Sequence, residues 1–281
     1  MEHLNIQEFI LLMKRNKDID KALRLGFNAV NTMKLQEFEF HRNYLEIIFD
    51  KINHSFFKKP YVYPFKKVMK YFLSDKEKEL FSSYIDKNVV IGDGTRIGPN
   101  VTIYSGARIG KNCQIFPGAV ISAVPQDLKF VGEETLTIIG DNNILRECVT
   151  VHRGTASKEK TEIGNNCLIM AYCHVAHDCL LHNNIIMSNA TQLAGEVEVD
   201  DFAIIGGGSL VHQFTKIGCH SMLQGGSKVN KDVPPYVIAA HEPLSYFGLN
   251  TVGLRRRGFS TETIQNLQEM YRKIFLSGLH N

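Results

Sequence analysis

From about residue 85 onward, aliphatic side chains recur at every sixth position of the chain. The longest uninterrupted series has twelve members: Ile163, Ile169, Val175, Leu181, Met187, Leu193, Val199, Ile205, Val211, Ile217, Leu223 and Val229. Shorter series run from Ile85 to Ile121 and from Ile139 to Val151. Glycine often follows the aliphatic residue, as in IGDGTR, IGPNVT and IGNNCL. Such a repeat predicts a parallel β-helix, in which three hexads form one triangular coil and successive coils stack at about 4.8 Å.

The repeat also predicts which side chains fill the interior of the prism. The aliphatic residue of each hexad points inward, and the fifth residue points inward near a corner, where only a small or medium side chain fits. These corner residues are Val101, Ala107, Cys113, Ala119, Cys167, Cys173, Cys179, Thr191, Ala203 and Ser209. Four of the six cysteines occupy this position. We therefore interpret them as packing residues and not as zinc ligands or disulfide partners.

The composition of the chain changes near residue 85. Residues 1–84 contain a single glycine and repeat apolar residues at helical spacing, which predicts an α-helical N-terminal domain. Residues 85–235 form the predicted β-helix domain, which ends at a Pro-Pro pair that cannot continue the ladder. Residues 236–281 form a predicted C-terminal extension with a short helix capped by Ser260 or Thr261. The predicted fold class is therefore mainly β.

The net charge and the hydropathy of the chain argue against several classes of protein. The formal net charge of +3 is too small to indicate nucleic-acid binding. No stretch approaches the ~18–20 apolar residues of a membrane span. The apolar run near the N-terminus follows acidic residues and precedes no small-residue cleavage site, so we predict no signal peptide and a cytoplasmic protein.

Two stretches leave the six-residue period, Ser122 to Thr137 and Arg153 to Glu162. We interpret them as loops that leave the coils. Loops on a rigid scaffold often carry functional residues, so the chemistry is expected close to them.

The segment AYCHVAHDCLLHNN, residues 171–184, concentrates three histidines just after the second loop. In the register of the repeat, His177 and Asp178 point outward. Eighteen residues later, Gly195 lies one coil above His177 and Glu196 lies above Asp178. A neutral imidazole beside a carboxylate suits general-base catalysis, and the Gly195 N–H suits stabilisation of an oxyanion.

Two other interpretations of these histidines remain open on this pattern. His174 and His177 offer imidazoles to a metal ion, although no helical HExxH spacing supports that use. In the second interpretation, the histidines are polar surface residues on a solvated face. His152, at the end of a coil before a loop, is interpreted as structural.

From about residue 85 onward the sequence resembles the UDP-N-acetylglucosamine acyltransferases that start lipid A biosynthesis. The matching motifs are PQDLKFVGE (Pro125–Glu133), VTVHRGT (Val149–Thr155), HVAHDC (His174–Cys179), DDFAIIGG (Asp200–Gly207), VHQF (Val211–Phe214), DVPPYVIA (Asp232–Ala239) and FGLNTVGLRRRGFS (Phe247–Ser260). They occur in the order of the family and at nearly its spacing.

The resemblance implies a left-handed parallel β-helix that assembles as a homotrimer with active sites between subunits. It implies an enzyme that moves an (R)-3-hydroxyacyl group from acyl carrier protein to the 3-hydroxyl of UDP-N-acetylglucosamine. The acyl carrier protein thioester is a co-substrate, and no cofactor, metal, nucleic acid or membrane span is expected.

The resemblance also implies roles for single residues. His177 matches the general base, Asp178 the carboxylate that orients it, and Gly195 the oxyanion donor. Asp127 and Lys129 match residues near the sugar and phosphates, and Gly225 falls where the family measures acyl length. The other matches are expected to line the substrate cleft: His174, His212, Gln213, Asn250 and Arg256.

Glu196 departs from the family, which usually has a histidine at this position. A second carboxylate near the proposed base is expected to raise the basicity of His177 or to signal a different acceptor. Two alternatives therefore stay open: an acetyl-coenzyme A-dependent N-acetyltransferase acting on a nucleotide-linked amino sugar, and a non-catalytic trimeric scaffold.

Overall fold

The computed structural model describes residues 83–276. Nearly all of the predicted helical N-terminal domain, residues 1–84, therefore lies outside the described residues. The described chain forms three parallel sheets that make up the faces of a left-handed β-helix, as the repeat and the family resemblance predicted. From β1 to β22, successive strands in the chain belong to successive faces, so strands three places apart in the chain pair with each other.

The first face, sheet A, contains β1 (Tyr84–Ile85), β4 (Thr102–Ile103), β7 (Val120–Ala123), β10 (Thr150–His152), β13 (His174–Val175), β16 (Gln192–Leu193), β19 (Leu210–Val211) and β22 (Lys228–Val229). Sheet B contains β2 (Val90–Ile91), β5 (Ala107–Ile109), β8 (Leu136–Ile139), β11 (Lys160–Ile163), β14 (Leu180–Leu181), β17 (Glu198–Val199) and β20 (Lys216–Ile217). Sheet C contains β3 (Arg96–Ile97), β6 (Gln114–Ile115), β9 (Ile144–Leu145), β12 (Leu168–Ile169), β15 (Ile186–Met187), β18 (Ile204–Ile205), β21 (Met222–Leu223), β23 (Val237–Ala240) and β24 (Ser245–Leu249).

The interior contains the side chains that the six-residue period placed there. Every member of the twelve-residue aliphatic series is buried, and so is every predicted corner residue from Val101 to Ser209. The six cysteines are free thiols. Burial raises the pKa of the Cys167 thiol to about 11 and that of the Cys179 thiol to about 12. These thiols are therefore protonated packing residues at neutral pH.

The corners of the prism require a left-handed backbone conformation once per hexad. Positive φ angles recur six residues apart at Tyr172, Asp178, Asn184, Ala190, Glu196 and Phe202. Such angles are uncommon outside glycine, so the tight turn and the stacking of coils enforce them. Asp178 and Glu196 both occupy this corner position, which is why they stack eighteen residues apart.

The C-terminal extension continues the β-helix before it becomes helical. Strand β23 pairs with β21 in parallel, and β24 pairs with β23 in antiparallel orientation. Helix α1 spans Thr251–Arg256, and helix α2 spans Thr261–Leu276. Ser260 is the residue that caps α2, since its hydroxyl accepts a hydrogen bond from the Thr263 N–H at 3.1 Å.

Helix α1 packs on an aromatic ladder at the corner between sheets B and C. The rings of Phe202, His220 and Tyr236 stack one above another, with centroid distances of 4.8 and 5.6 Å. The guanidinium of Arg257 lies over the Phe202 ring and donates to the Phe202 carbonyl at 2.9 Å. Within residues 83–276, no helix is both long enough and apolar enough to cross a membrane.

Candidate active site

The candidate site lies along the corner between sheets A and B. His177 and Asp178 form the turn between β13 and β14. The two loops predicted from the broken period leave this same corner on the preceding coils: residues 124–135 between β7 and β8, and residues 153–159 between β10 and β11. The scaffold therefore brings both loops beside the predicted catalytic pair.

His177 and Asp178 form a hydrogen-bonded dyad. Their Nδ1 and Oδ2 atoms are 2.8 Å apart, and the Asp178 carboxylate is buried. The carboxylate also accepts hydrogen bonds from the Thr155 N–H at 2.9 Å and from the Thr155 hydroxyl at 2.6 Å. A buried carboxylate with this many donors is well stabilised in its ionised form.

The ionisation of Asp178 decides the tautomer of His177. Burial raises the pKa of Asp178, but hydrogen bonds from Thr155 and His177 outweigh burial, so the pKa lies below its ordinary value. Asp178 is therefore a carboxylate at neutral pH. It holds the Nδ1–H of His177 and leaves Nε2 free to accept a proton, as in the Ser-His-Asp triad.

Gly195 lies directly against the His177 ring, one coil above it. A methyl group at Gly195 would lie 2.5 Å from Cε1 and 2.6 Å from Nε2 of His177. Only glycine leaves room for the imidazole in this position. Within the described part of the chain, the Gly195 N–H has no hydrogen-bond acceptor, so it is available to an oxyanion beside Nε2.

Two further histidines line the same space. His174 Nδ1 is 2.7 Å from the Thr150 hydroxyl, and its ring meets the His152 ring edge to face at 4.6 Å. Burial lowers the pKa of His174, and the neighbouring His177 adds to the effect. Burial, His174 and His177 together lower the pKa of His152 to about 4. Both rings are therefore neutral hydrogen-bonding groups at pH 7.

His152 is a cleft residue that the sequence interpretation missed. The sequence alone suggests a structural role for it; its side chain is buried, and it forms part of the cleft wall because the loop that follows it leaves at this corner. The register of the repeat identifies it as a neighbour of the site, because the strand Thr150–His152 pairs directly with the strand His174–Val175 of the next coil.

Four of the eleven predicted site residues line a cleft of about 420 Å³. Its lining includes His174, His177, Gly195 and Gln213, with Gln126 contributed by the first loop. Its remaining lining is His152, Ala176, Gln192, Leu193, Ala194, Leu210 and Val211. Apolar and polar groups thus meet in one groove, which suits a substrate with a hydrocarbon tail and a polar head.

Asp127, Lys129 and His212 flank this cleft without lining it. Lys129 is exposed, and its N–H donates to the Asp127 carboxylate at 2.9 Å. His212 is exposed beside Gln213. The first loop thus presents an exposed lysine side chain and a carboxylate next to Gln126.

The remaining three predicted residues lie away from the cleft of this chain. Asn250 is buried and caps α1, accepting from the Gly253 N–H at 3.1 Å and donating to the His220 carbonyl at 2.9 Å. Arg256 is exposed at the end of α1. Gly225 is exposed, and a methyl group there would lie 3.2 Å from the Gly207 carbonyl oxygen. Their predicted contacts with substrate stay predictions.

Comparisons with known proteins agree with the motifs. The family described as UDP N-acetylglucosamine O-acyltransferase, domain 2, matches residues 232–281. The bacterial transferase hexapeptide family, with six repeats, matches residues 88–123.

Among curated relatives, an acyl-[acyl-carrier-protein]–UDP-N-acetylglucosamine O-acyltransferase of Burkholderia orbicola is 49% identical over 156 residues. The match covers 55% of this chain and 60% of the relative. The chain thus spans about 60% of the length of the curated relatives that it matches.

Among solved structures, a UDP-N-acetylglucosamine acyltransferase from Bacteroides fragilis shares 48% identity and a TM-score of 0.69, covering 71% of this chain and 85% of that one. A second, from Acinetobacter baumannii, shares 41% identity and a TM-score of 0.69, covering 71% and 84%. On these matches, the chain belongs to the UDP-N-acetylglucosamine O-acyltransferase family.

Proposed function

We propose that this protein transfers an (R)-3-hydroxyacyl group from the thioester of acyl carrier protein to the 3-hydroxyl of UDP-N-acetylglucosamine. The observation that carries the proposal is the His177–Asp178 dyad packed against Gly195, whose N–H has no acceptor among residues 83–276. The names of the relatives supply the donor and the acceptor. Both substrates belong to the cytoplasm, so we place the protein there.

The chemistry follows from the geometry of the dyad. Nε2 of His177 removes the proton of the sugar 3-hydroxyl as its oxygen attacks the thioester carbonyl. The negative charge that develops on the carbonyl oxygen is stabilised by the Gly195 N–H. Collapse of the tetrahedral intermediate breaks the C–S bond, and the imidazolium returns its proton to the leaving thiolate. Asp178 stabilises the imidazolium throughout, and the thioester supplies the activation, so the reaction needs no cofactor.

The residues around the dyad have the chemistry that this substrate pair requires. Lys129 offers a cation to the pyrophosphate, while Asp127 offers an acceptor to sugar hydroxyls. His174 and Gln213 provide neutral hydrogen-bonding groups inside the cleft. His212 extends this polar edge outward. The exposed Gly225 leaves the corner of a higher coil open for an acyl chain.

A homotrimer would complete the site. The outward positions of sheet C form an apolar ladder that a single chain leaves partly exposed to solvent: Ile144, Leu168, Ile186, Ile204 and Met222. Such a face favours association with another copy. In a trimer with sites between subunits, Asn250 and Arg256 come from the neighbouring copy.

We expect sedimentation equilibrium of the full chain to give three times the 31.8 kDa monomer mass. A monomer that keeps full activity would contradict a site shared between subunits. A Ile186→Glu variant, which places a charge in the middle of the ladder, should shift the equilibrium toward monomer and lower activity in parallel.

The direct test of the proposed reaction is a product assay with competing donors. Wild-type protein is incubated with UDP-N-acetylglucosamine and a mixture of acyl carrier protein thioesters, 3-hydroxyacyl-coenzyme A and acetyl-coenzyme A. Mass spectrometry should detect a singly O-acylated sugar nucleotide made from the carrier-protein donor. A second acceptor, a UDP-linked amino sugar with a free amine, is included because the nitrogen of UDP-N-acetylglucosamine is already acylated. N-acetylation of that amine from acetyl-coenzyme A would indicate the N-acetyltransferase alternative, and tight nucleotide binding without any product would indicate a scaffold.

A further inference from the structure

The loop of residues 153–159 supplies most of the hydrogen bonds that hold Asp178. Of the four hydrogen bonds to its carboxylate, two come from Thr155, one comes from the Lys158 N–H at 3.3 Å, and one comes from His177. Residues 156–159 are themselves exposed to solvent. Burial therefore does not hold this part of the loop, and specific contacts must keep it closed on Asp178.

Glu196 makes those contacts from the coil above. Its Oε1 accepts a hydrogen bond from the Ser157 hydroxyl at 3.2 Å, and its Oε2 lies 3.7 Å from the Lys158 ammonium. The backbone N–H of Glu196 donates to the His177 carbonyl at 3.0 Å. Glu196 thus connects the loop of residues 153–159, through its carboxylate, to the turn of His177 and Asp178, through its backbone N–H.

The first loop supports the same closed arrangement from below. Glu133 accepts a hydrogen bond from the Ala156 N–H at 3.0 Å, and the Thr135 hydroxyl donates to the Gly154 carbonyl at 2.6 Å. The Arg153 guanidinium lies over the Phe130 ring at 5.5 Å. These contacts fix the start of the second loop. Beyond Ala156, the Ser157 N–H donates to the Thr155 hydroxyl at 3.2 Å, and the side chains of Ser157 and Lys158 are held by Glu196.

We propose that Glu196 is a positioning residue that latches residues 153–159 over Asp178 and so fixes the orientation of His177. The carboxylate of Glu196 faces the loop and is offset by the Lys158 ammonium, so it acts through the loop and not as a charge that raises the basicity of His177. A histidine at this position carries no negative charge to pair with Lys158. The consequence for turnover rests on the proposed acyl transfer, but the latch itself does not.

Hydrogen exchange of the full-length protein without substrate tests the latch independently of activity. Losing a hydrogen bond and an ion pair of this kind should speed amide exchange at residues 155–158 about three- to tenfold in Glu196→Ala. Glu196→Gln keeps an acceptor for Ser157 and should fall between Ala and wild type. The matched control is Lys216→Met, which removes a 3.0 Å ion pair with Glu198 on sheet B without touching the loop and should leave exchange there unchanged.

Kinetics of a charge exchange test the positioning role. Lys158→Glu places two carboxylates together and should lower kcat by up to about tenfold, the scale of an ion pair with its hydrogen bonds. KM for both substrates should stay nearly constant. The double variant Lys158→Glu with Glu196→Lys should recover most of the lost kcat, because it restores an opposite-charge pair.

Several outcomes would overturn the proposal. Exchange at residues 155–158 that is unchanged in Glu196→Ala would show that the loop closes without the latch. If the double variant is as slow as Lys158→Glu, the loss of kcat comes from the charge of Glu196 itself and not from the broken pair. If Lys158→Glu raises KM and leaves kcat unchanged, Lys158 contacts the substrate instead of positioning the loop. If wild-type protein forms no product with any donor, the proposed function fails, while the exchange experiment still decides the latch.

Discussion

Replacing His177 with alanine should lower kcat about 10²- to 10⁴-fold, the usual contribution of a general base. His177 is the histidine whose Nδ1 is held by a buried carboxylate and whose Nε2 faces Gly195. Without the imidazole, no group at this position takes the proton of the attacking hydroxyl. Steady-state assays with saturating acyl carrier protein thioester measure the loss, and KM for the sugar nucleotide should change little.

The matched control for this variant is His182→Ala. His182 lies in the next turn of the same coil, half-exposed, and does not line the cleft. Its loss should leave kcat within about twofold of wild type, as expected for a surface substitution. If His177→Ala also stays within tenfold of wild type while the protein remains folded, another group is the base.

The interior of this protein was predictable because one short period determines it. A given position of the hexad points into the prism, or out of it, in every coil. One rule therefore predicts that both Ile163 and Val229 are buried. The rule also stacked Gly195 above His177 and Glu196 above Asp178. The structure confirms those two stacks, since the strand pairs on both sides of the turn, His174 with Gln192 and Leu180 with Glu198, keep the offset of eighteen residues.

The parts of the site that lie outside the period were not predictable in the same way. Thr155 holds Asp178 with two hydrogen bonds, yet it belongs to a loop whose path no repeat constrains. For the same reason, the register of the repeat leaves open whether Glu196 raises the basicity of His177 or signals a different acceptor. The Glu196 carboxylate turns toward Ser157 and Lys158, two loop residues that sequence register cannot locate.

Asn250 illustrates a second limit. The family motif assigns it to the substrate cleft, but in this chain its side chain is buried at the start of α1 with both amide atoms engaged. A helix cap and a substrate contact are compatible only if a neighbouring copy brings that surface to the cleft. The sequence of one chain does not show where a neighbouring copy lies, so the predicted contact between Asn250 and the substrate depends on the proposed trimer.

Gly195→Ala should lower kcat/KM at least about 10²-fold, because an active-site group displaced by about 1 Å loses that much. The added methyl group would lie 2.5 Å from Cε1 of His177, closer than van der Waals contact permits, so the imidazole must move away from the reacting oxygen. The φ angle of Gly195 is not in the left-handed region, in contrast to the next residue, Glu196, at 60°. Alanine therefore fits the backbone, and the fold and melting temperature should persist.

A double-variant cycle separates displacement of the base from damage to the oxyanion donor. Alanine keeps the backbone N–H, so Gly195→Ala acts mainly through His177, and adding it to His177→Ala should cost little beyond His177→Ala alone. If the two losses instead multiply, the methyl group disturbs the site of the developing oxyanion independently of the imidazole. If Gly195→Ala alone keeps kcat/KM within tenfold of wild type, the close approach of His177 to Gly195 is not the catalytic arrangement. A crystal structure of this variant with the His177 ring rotated away from residue 195 would identify the displaced base directly.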